Sequence, residues 1–367
     1  MNILITGNEG FIAKNLIFFL RERGFNEING ISRKTSFEEK EILIKNSDFI
    51  FHLAGVNRAE NNEEFQRGNI DFLSEMLSIL KDNQLKTPIL YSSSTQAELN
   101  NIYGESKKKA EDLIINFAEN NNSKYFIFRL PNIFGKWCKP NYNSFISTFC
   151  FNLHNKIKLE IHNPKSEVTL AYIDDICACF FDTFANNPEP GYCKLNTTYK
   201  TTVGEVAKIL ESFLDREKLY VESVGNGLKR ALYSTYISFY EPKDFSYKIK
   251  SNIDNRGSFS EFIKTHHSGQ VSFFTAHPGI TRGRHYHHTK TEKFLVVQGK
   301  AKFNFRNIHT NEFHTLEVSS EEPTVVETIP GWAHDITNIG DNELIAILWA
   351  NEIFDNKKPD TFAIETI

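Results

Sequence analysis

Two sets of residues in this chain have the types and spacing to do chemistry. The first is Tyr103 and Lys107, four apart in "YGESK" and therefore on one face of a helix. A phenol with a pKa near ~10 is a poor acid–base group at neutral pH. An ammonium one turn away favours the phenolate, so the pair can exchange a proton with a carbonyl or alcohol oxygen. Ser94, closing "ILYSSS", can add a hydrogen bond to that oxygen, with Ser92 and Ser93 as alternatives because the segment up to Tyr103 is short. The second set is His285, His287, Glu292 and His334. His285 and His287 are two apart, so on a strand they share a face. "HTKT" turns the chain, Glu292 opens "EKFLVVQG", and His334 arrives from a distant strand. Three imidazoles and one carboxylate suit a single divalent metal, zinc ahead of nickel, iron or manganese, in a site that keeps a position open for water or substrate.

The elements that must position these residues fall into two textures. Up to about Phe239, strand-like runs ("NILITG", "DFIFHLAG", "PILYSSS", "KYFIFRL") alternate with helical patterns such as "FIAKNLIFFLRERG" and "YGESKKKAEDLIINFAE". That alternation predicts βαβ units and a parallel sheet. After "YEPKDFSYK" come short β-rich runs ("QVSFFTA", "KFLVVQG", "KAKFNFRN", "TVVETI", "ELIAILWA") separated by Gly, Pro, Asn and His. They predict a small all-β barrel or sandwich. The expected domains are residues 1–243 and 244–367, meeting near Pro242. Gly7, Gly10 and Ala13 form G-x-x-G-x-x-A between the first strand and helix, which lets backbone N–H groups approach a pyrophosphate. Alone this is a weak signal, since glycine turns after strands are common and Y-x-x-x-K is a frequent accident of surface helices. Arg33, followed by Lys34, stands after the second strand where a ribose-binding acid would otherwise be. It suits a ribose 2′-phosphate, hence NADPH over NADH, although a solvated basic turn would look the same.

In this order the residues resemble the extended short-chain dehydrogenase/reductase family, whose members commonly act on nucleotide sugars. The resemblance is carried further by "DFIFHLAG" (Leu53, Ala54, Gly55), by Asn69 in "GNI", by "RLPNIFG" (Arg129, Pro131, Asn132) and by "AYIDDI" (Tyr172, Asp174, Asp175). It implies a catalytic set of Ser94, Tyr103 and Lys107. It further implies cofactor contacts from Gly7, Gly10, Phe11, Ile12, Arg33, Leu53, Ala54, Gly55, Asn69, Tyr103, Lys107 and Pro131. In the second domain, G-x5-H-x-H-x4-E-x6-G runs from Gly279 to Gly299 and G-x2-H-x3-N from Gly331 to Asn338. These resemble the two cupin motifs, except that Pro330 directly adjoins Gly331. The other histidines, His266, His267, His277, His309 and His314, read as ordinary surface or core residues. "NIDNRGSFSEFIK" (Asp254, Arg256, Gly257, Phe259, Glu261) is similar to the opening strand of cupin-type sugar epimerases, and by itself is also an ordinary exposed turn.

A reductase followed by a cupin resembles, over essentially the whole chain, the bifunctional enzymes of capsular-polysaccharide and O-antigen synthesis. "HLAGVNR", "FGKWCKPNYNS", "STYIS" and "DFSY" carry that likeness. It implies inversion of C3 in UDP-2-acetamido-2,6-dideoxy-β-L-arabino-hex-4-ulose by the cupin domain and reduction of the C4 ketone with NADPH by the other. The product would be UDP-2-acetamido-2,6-dideoxy-β-L-talose, on the way to UDP-N-acetyl-L-fucosamine. For the C3 base, the sequence leaves Tyr286, His288, Lys302 and a metal-bound hydroxide open. A rival expectation is a one-step reductase whose barrel only forms a dimer. Against it, oligomerisation needs apolar surface and no open four-ligand site. A sensor protein with a vestigial reductase fold is a second rival, disfavoured because Tyr103 and Lys107 are both present.

Bulk composition narrows the partners. The 367 residues allow about two domains, and 40% hydrophobic with 24% charged residues is ordinary for a globular chain. A formal charge of -4 argues against nucleic acid or an anionic membrane. No apolar run spans a bilayer and "MNILITG" enters a strand directly, with no leader. Five scattered cysteines without a CxxC pair suit reduced thiols, so a cytoplasmic homo-oligomer, most simply a dimer, is expected.

Overall fold

The computed structural model describes residues 1–59, 61–142, 144–214, 220–221, 223–249, 251–254, 257–260, 264–265, 269–352 and 357–366. The first elements are β1 (Ile3–Thr6), α1 (Phe11–Arg21), β2 (Ile28–Ile31), α2 (Phe37–Lys45), β3 (Phe49–His52), α3 (Asn62–Gln66) and α4 (Phe72–Asp82). Then come β4 (Ile89–Ser94), α5 (Ile102–Asn121), β5 (Tyr125–Leu130), β6 (Asn132–Phe134), α6 (Phe145–His154), β7 (Glu167–Tyr172) and α7 (Ile173–Asn186). β8 (Gly191–Cys193), β9 (Tyr199–Thr202), α8 (Val203–Ser212), β10 (Tyr220–Val221) and α9 (Gly227–Ile237) lead to the β-rich part. That part comprises β11 (Ser246–Lys248), β12 (Ser251–Asp254), β13 (Gly257–Ser260), β14 (Lys264–Thr265), β15 (Gln270–Ala276), β16 (Thr281–Tyr286) and β17 (Glu292–Gln298). It ends with β18 (Lys300–Asn307), β19 (Phe313–Ser319), β20 (Thr324–Glu327), β21 (Trp332–Asn338), β22 (Leu344–Ala350) and β23 (Phe362–Ala363).

Two compact units emerge. Residues 1–134, 141–144 and 168–200 form one; residues 135–140, 145–167 and 201–367 form the other, so α6, α8 and α9 belong with the barrel in this division. The first unit is built on a six-stranded sheet, order β2-β1-β3-β4-β5-β8, in which every pairing is parallel. Helices cover both faces of such a sheet, so its strands read as unbroken apolar runs. Ile3, Leu4, Ile5, Ile50, Phe51, Leu90, Phe126 and Ile127 are all buried accordingly. α5 starts cleanly because the Asn101 side chain accepts from the Gly104 N–H at 2.9 Å, and it stops at Asn122 in a left-handed conformation. The expected Rossmann-type domain is present.

In the second unit, α6, α8 and α9 pack on one another. Beside an antiparallel β12–β13 pair and a parallel β10–β14 pair, its β-rich part is built on two antiparallel five-stranded sheets, β11-β20-β17-β22-β15 and β19-β18-β21-β16-β23. Their inner faces interlock through aromatic rings. Phe294 of β17 meets Phe303 of β18 with centroids 5.5 Å apart, and Phe245 stands edge-on to Trp332 of β21 at 4.9 Å. This is the flattened all-β barrel expected of a cupin. Of the "NIDNRGSFSEFIK" stretch, Arg256 and Glu261 lie outside the described residues, as do His266 and His267.

Candidate functional site

In the first unit, β4 ends at Ser94 and α5 begins eight residues later at Ile102, so the strand end and the helix's first turns face the same loop cluster. The Tyr103 hydroxyl donates to Asn57 Oδ1 at 3.2 Å, and the Ser94 side chain lies close enough to act on its pKa. Lys107, one turn further along, is buried and donates to the Ser92 carbonyl at 3.0 Å. Burial lowers the Lys107 pKa to about 8, opposed by Glu111. Burial likewise raises the Tyr103 phenol, with the Ser94 side chain opposing. Lys107 was expected to favour a phenolate; here its ammonium is committed to a backbone carbonyl, and desolvation keeps Tyr103 protonated. A protonated phenol is the form that can give a proton away.

The glycines make this geometry possible. A Cβ on Gly55 would lie 3.0 Å from Asn69 Oδ1 and 3.2 Å from Lys107 Nζ. Gly7 has φ +68°, and a Cβ there would come within 2.8 Å of the Ala54 Cα, so the first turn and the loop after β3 touch backbone to backbone. Asn69 sits in a short π-helical turn, Arg67–Asp71. Its amide takes the Val56 N–H at 2.8 Å and gives to Val56 O at 3.2 Å and Ser106 Oγ at 2.9 Å. It thereby ties the Leu53–Ala54–Gly55 loop to the residue before Lys107. Gly10 caps α1, which Phe11 and Ile12 open, leaving backbone N–H groups at its start. Arg33 is exposed in the turn two residues beyond β2. Pro131 separates β5 from β6, while Arg129 pairs with the buried Glu111 at 2.6 Å.

Two residues here escaped the sequence reading. Asn57 is 46 positions from the Tyr103 hydroxyl it accepts from; it lies within "HLAGVNR", whose likeness gave it no role of its own. Thr6 Oγ1 accepts from the Ala54 N–H at 3.1 Å and lies 2.9 Å from His52 Nδ1. Burial, then Lys107, lower that imidazole to about 3, so it stays neutral.

In the barrel, the ligand atoms of His285, His287, Glu292 and His334 all lie within 4.8 Å of one another. A β-bulge sets this up. Gly283 faces Asp335 and His285 faces His334, so Arg284 is an extra residue, at φ 60°. The bulge switches odd-numbered positions of β16 from the outer to the inner face. His285 and His287 then point inward beside His334, with ring centroids 4.7 to 5.2 Å apart. His287 Nε2 is 3.2 Å and His334 Nε2 3.3 Å from the same Glu292 oxygen. Those separations match the ~3.3 Å edge of a tetrahedron of N and O donors about 2.0–2.1 Å from a central zinc. His334 Nε2 is buried and makes no well-directed hydrogen bond among the described residues, as a lone pair aimed at a shared point requires. The four residues therefore fit one divalent metal. Burial and the neighbouring imidazoles lower His285 to about 3, which leaves its nitrogen free to ligate. Burial works to raise the Glu292 carboxyl, but His287 and His334 hold it well below the usual carboxylate range.

The three side chains considered as C3 base are turned away from these donors. Tyr286 packs on Phe362 with centroids 5.5 Å apart, and His288 packs on the same ring at 5.1 Å. Lys302 pairs with Thr337, on the face opposite Phe303 and Phe305, which line the interior with His334.

The chain thus carries a Rossmann-type unit with a glycine turn and a buried Lys107 beside Tyr103, and an antiparallel β unit with converging histidines. The chain belongs to the NAD dependent epimerase/dehydratase family, which residues 3–192 match, and residues 252–362 match the Polysaccharide biosynthesis C-terminal domain. Over 99% of its length it is 47% identical to the UDP-2-acetamido-2,6-beta-L-arabino-hexul-4-ose reductase of Pseudomonas aeruginosa, covering 98% of that protein. It is 43% identical to the capsular polysaccharide assembling protein CapF from Staphylococcus aureus, with a TM-score of 0.69 and 100% of both chains covered. The solved structure of MoeE5 with UDP-glucose and NAD, 17% identical, covers 65% of this chain and 98% of its own at a TM-score of 0.56, a likeness of fold alone. No helix among the described residues is long and apolar enough to cross a membrane.

Proposed function

We propose that this chain is a bifunctional nucleotide-sugar enzyme of polysaccharide biosynthesis. Its residues 244–367 invert C3 of UDP-2-acetamido-2,6-dideoxy-β-L-arabino-hex-4-ulose, and its residues 1–243 reduce the C4 ketone to give UDP-2-acetamido-2,6-dideoxy-β-L-talose. One observation carries this reading: a single chain, similar end to end to a 4-keto-sugar reductase, also builds a buried four-donor cluster that reduction does not need.

A divalent metal, zinc first, held by His285, His287, Glu292 and His334, would supply positive charge for the C4 oxygen, and NADPH would supply hydride. His285, paired opposite His334, would be one of the residues that hold the metal near the ketone oxygen. The hydrogen on C3 is removable only because the adjacent carbonyl takes up the charge, and return of a proton on the other face inverts the centre. In the reductase unit, Tyr103 gives its proton to the C4 oxygen as hydride arrives at carbon. Ser94 holds that oxygen, and Lys107 fixes the helix turn below. Arg33, exposed past β2, would meet the ribose 2′-phosphate of NADPH. Reduction destroys the ketone and with it the acidity of C3, so the second step draws the first forward and fixes its product.

The test is to incubate the protein with the 4-keto sugar in deuterated water, with and without NADPH, and to follow C3 by NMR. Deuterium should enter C3 without NADPH, and one NADPH should be consumed per sugar when it is present. Reduction with no exchange at C3 would leave the reductase half alone.

A further inference from the structure

Asp360, in the segment before β23, was singled out by no motif. Its carboxylate accepts from three successive backbone N–H groups of the turn between His287 and Glu292. The distances are 2.9 Å to His288, 2.6 Å to Thr289 and 2.6 Å to Lys290, and the Thr289 hydroxyl adds a fourth bond at 2.9 Å. Three consecutive N–H groups converging on one point form an anion-binding concavity, and here the chain supplies its own anion. The main-chain carbonyl of the same residue accepts from His287 Nδ1 at 2.5 Å. A carbonyl oxygen can only accept, so Nδ1 carries the hydrogen, and in a neutral ring the lone pair is then on Nε2, the atom 3.2 Å from Glu292. The following residues lock this arrangement in place. β23 pairs with β16 at His285 and Tyr286, Ile364 N–H donates to Arg284 O at 2.9 Å, and Lys290 Nζ donates to Thr361 Oγ1 at 3.0 Å.

We propose that Asp360 is the positioning residue of the metal cluster: its carboxylate sets the turn that spaces His287 from Glu292, and its carbonyl sets the tautomer and ring orientation of His287. The proposal rests on the reading of the four donors as a metal site. An acceptor on the far nitrogen of a ligating histidine raises its basicity and fixes its direction, and losing such a partner costs about 10- to 100-fold in metal affinity.

The experiment measures zinc dissociation constants by competition with a chromophoric chelator. It compares the wild type with Asp360→Ala, Asp360→Asn, His287→Ala and, as a control in the same segment, the exposed Lys358→Ala. Asp360→Ala should weaken zinc by about 10- to 100-fold, Asp360→Asn, which keeps one accepting oxygen, by about tenfold, and Lys358→Ala not at all. The visible spectrum of the cobalt(II)-loaded protein separates positioning from mere support of the fold. In Asp360→Ala its band should weaken and shift toward that of His287→Ala, whereas a purely structural tail would lower the melting temperature of the metal-free protein and leave the cobalt band as it is. If Asp360→Ala does not fold, Asp360→Asn decides alone. Zinc binding within twofold of wild type in the folded variants, with an unchanged cobalt band, overturns the proposal. A wild type that takes up no zinc overturns instead the metal reading beneath it.

Discussion

Replacing Lys107 by methionine removes a buried ammonium while keeping a similar linear side chain. Burial lowers the Lys107 pKa from its ordinary 10.5 to about 8. At about 1.36 kcal/mol per tenfold change in proton affinity, that fall opposes folding by about 3 kcal/mol wherever both the folded and unfolded chains are protonated, that is, below pH 8. The sign follows from linkage. With the folded value below the unfolded one, the unfolded chain binds more protons between pH 8 and 10.5, so the wild type gains stability as pH rises through that window. Methionine escapes the penalty but gives up the 3.0 Å hydrogen bond to the Ser92 carbonyl, a loss of about 1–2 kcal/mol. Lys107→Met should therefore be more stable than wild type by about 1–2 kcal/mol at pH 7 and less stable by a similar amount at pH 10.5. Urea unfolding of both proteins at the two pH values, followed by far-ultraviolet circular dichroism, measures the difference. A stability difference of the same sign and size at both pH values refutes the reasoning, because it would mean that the ammonium carries no burial penalty. The same variant should lose C4 reduction, which would make this lysine a residue kept at the expense of stability.

Tyr103→Phe should lower NADPH oxidation with the keto sugar by about 10²- to 10⁴-fold, the usual contribution of a placed proton donor, and leave deuterium exchange at C3 intact. Arg33→Asp should move the NADPH-to-NADH ratio of kcat/KM toward NADH by about 10- to 100-fold, the loss of one charge-assisted contact; equal wild-type values for both cofactors would already sink the assignment. His287→Ala should drop zinc content, measured by mass spectrometry, and stop deuterium entering C3, while a ketone supplied already epimerised is still reduced. Gly55→Ala should impair reduction with little loss of fold, since the new methyl group would press on Lys107 Nζ and Asn69 Oδ1, and a steady-state assay beside a melting curve checks both.

Much of this was legible because the signals were local. Parallel strands buried on both faces write unbroken apolar runs, and β1, β3 and β4 were readable for that reason. Helical spacing put Tyr103 and Lys107 together, and strand spacing put His285 and His287 on one face. What could not be read depended on contacts distant in sequence. The Lys107 ammonium turned to a backbone carbonyl, a partner that no side-chain pattern announces. Asn57 and Asp360 reach their targets 46 and 73 positions away, through loops whose sequences look like ordinary turns. Strand periodicity said that Tyr286 lies opposite the two histidines but not which face was interior, because Arg284 changes the phase of the strand midway.

That extra residue has an evolutionary consequence. Gly283 lies opposite Asp335 and His285 opposite His334, so the bulge takes up one residue of chain between two fixed pairings. Deleting Arg284 alone would close the ladder into a regular one and leave His285 and His287 facing inward. A regular ladder that kept Arg284 would instead set Arg284 opposite His334 and turn both histidines outward. Among descendants of this architecture, the spacing between Gly283 and His285 would then be a poor guide to metal content, and the residue that stands opposite His334 a better one.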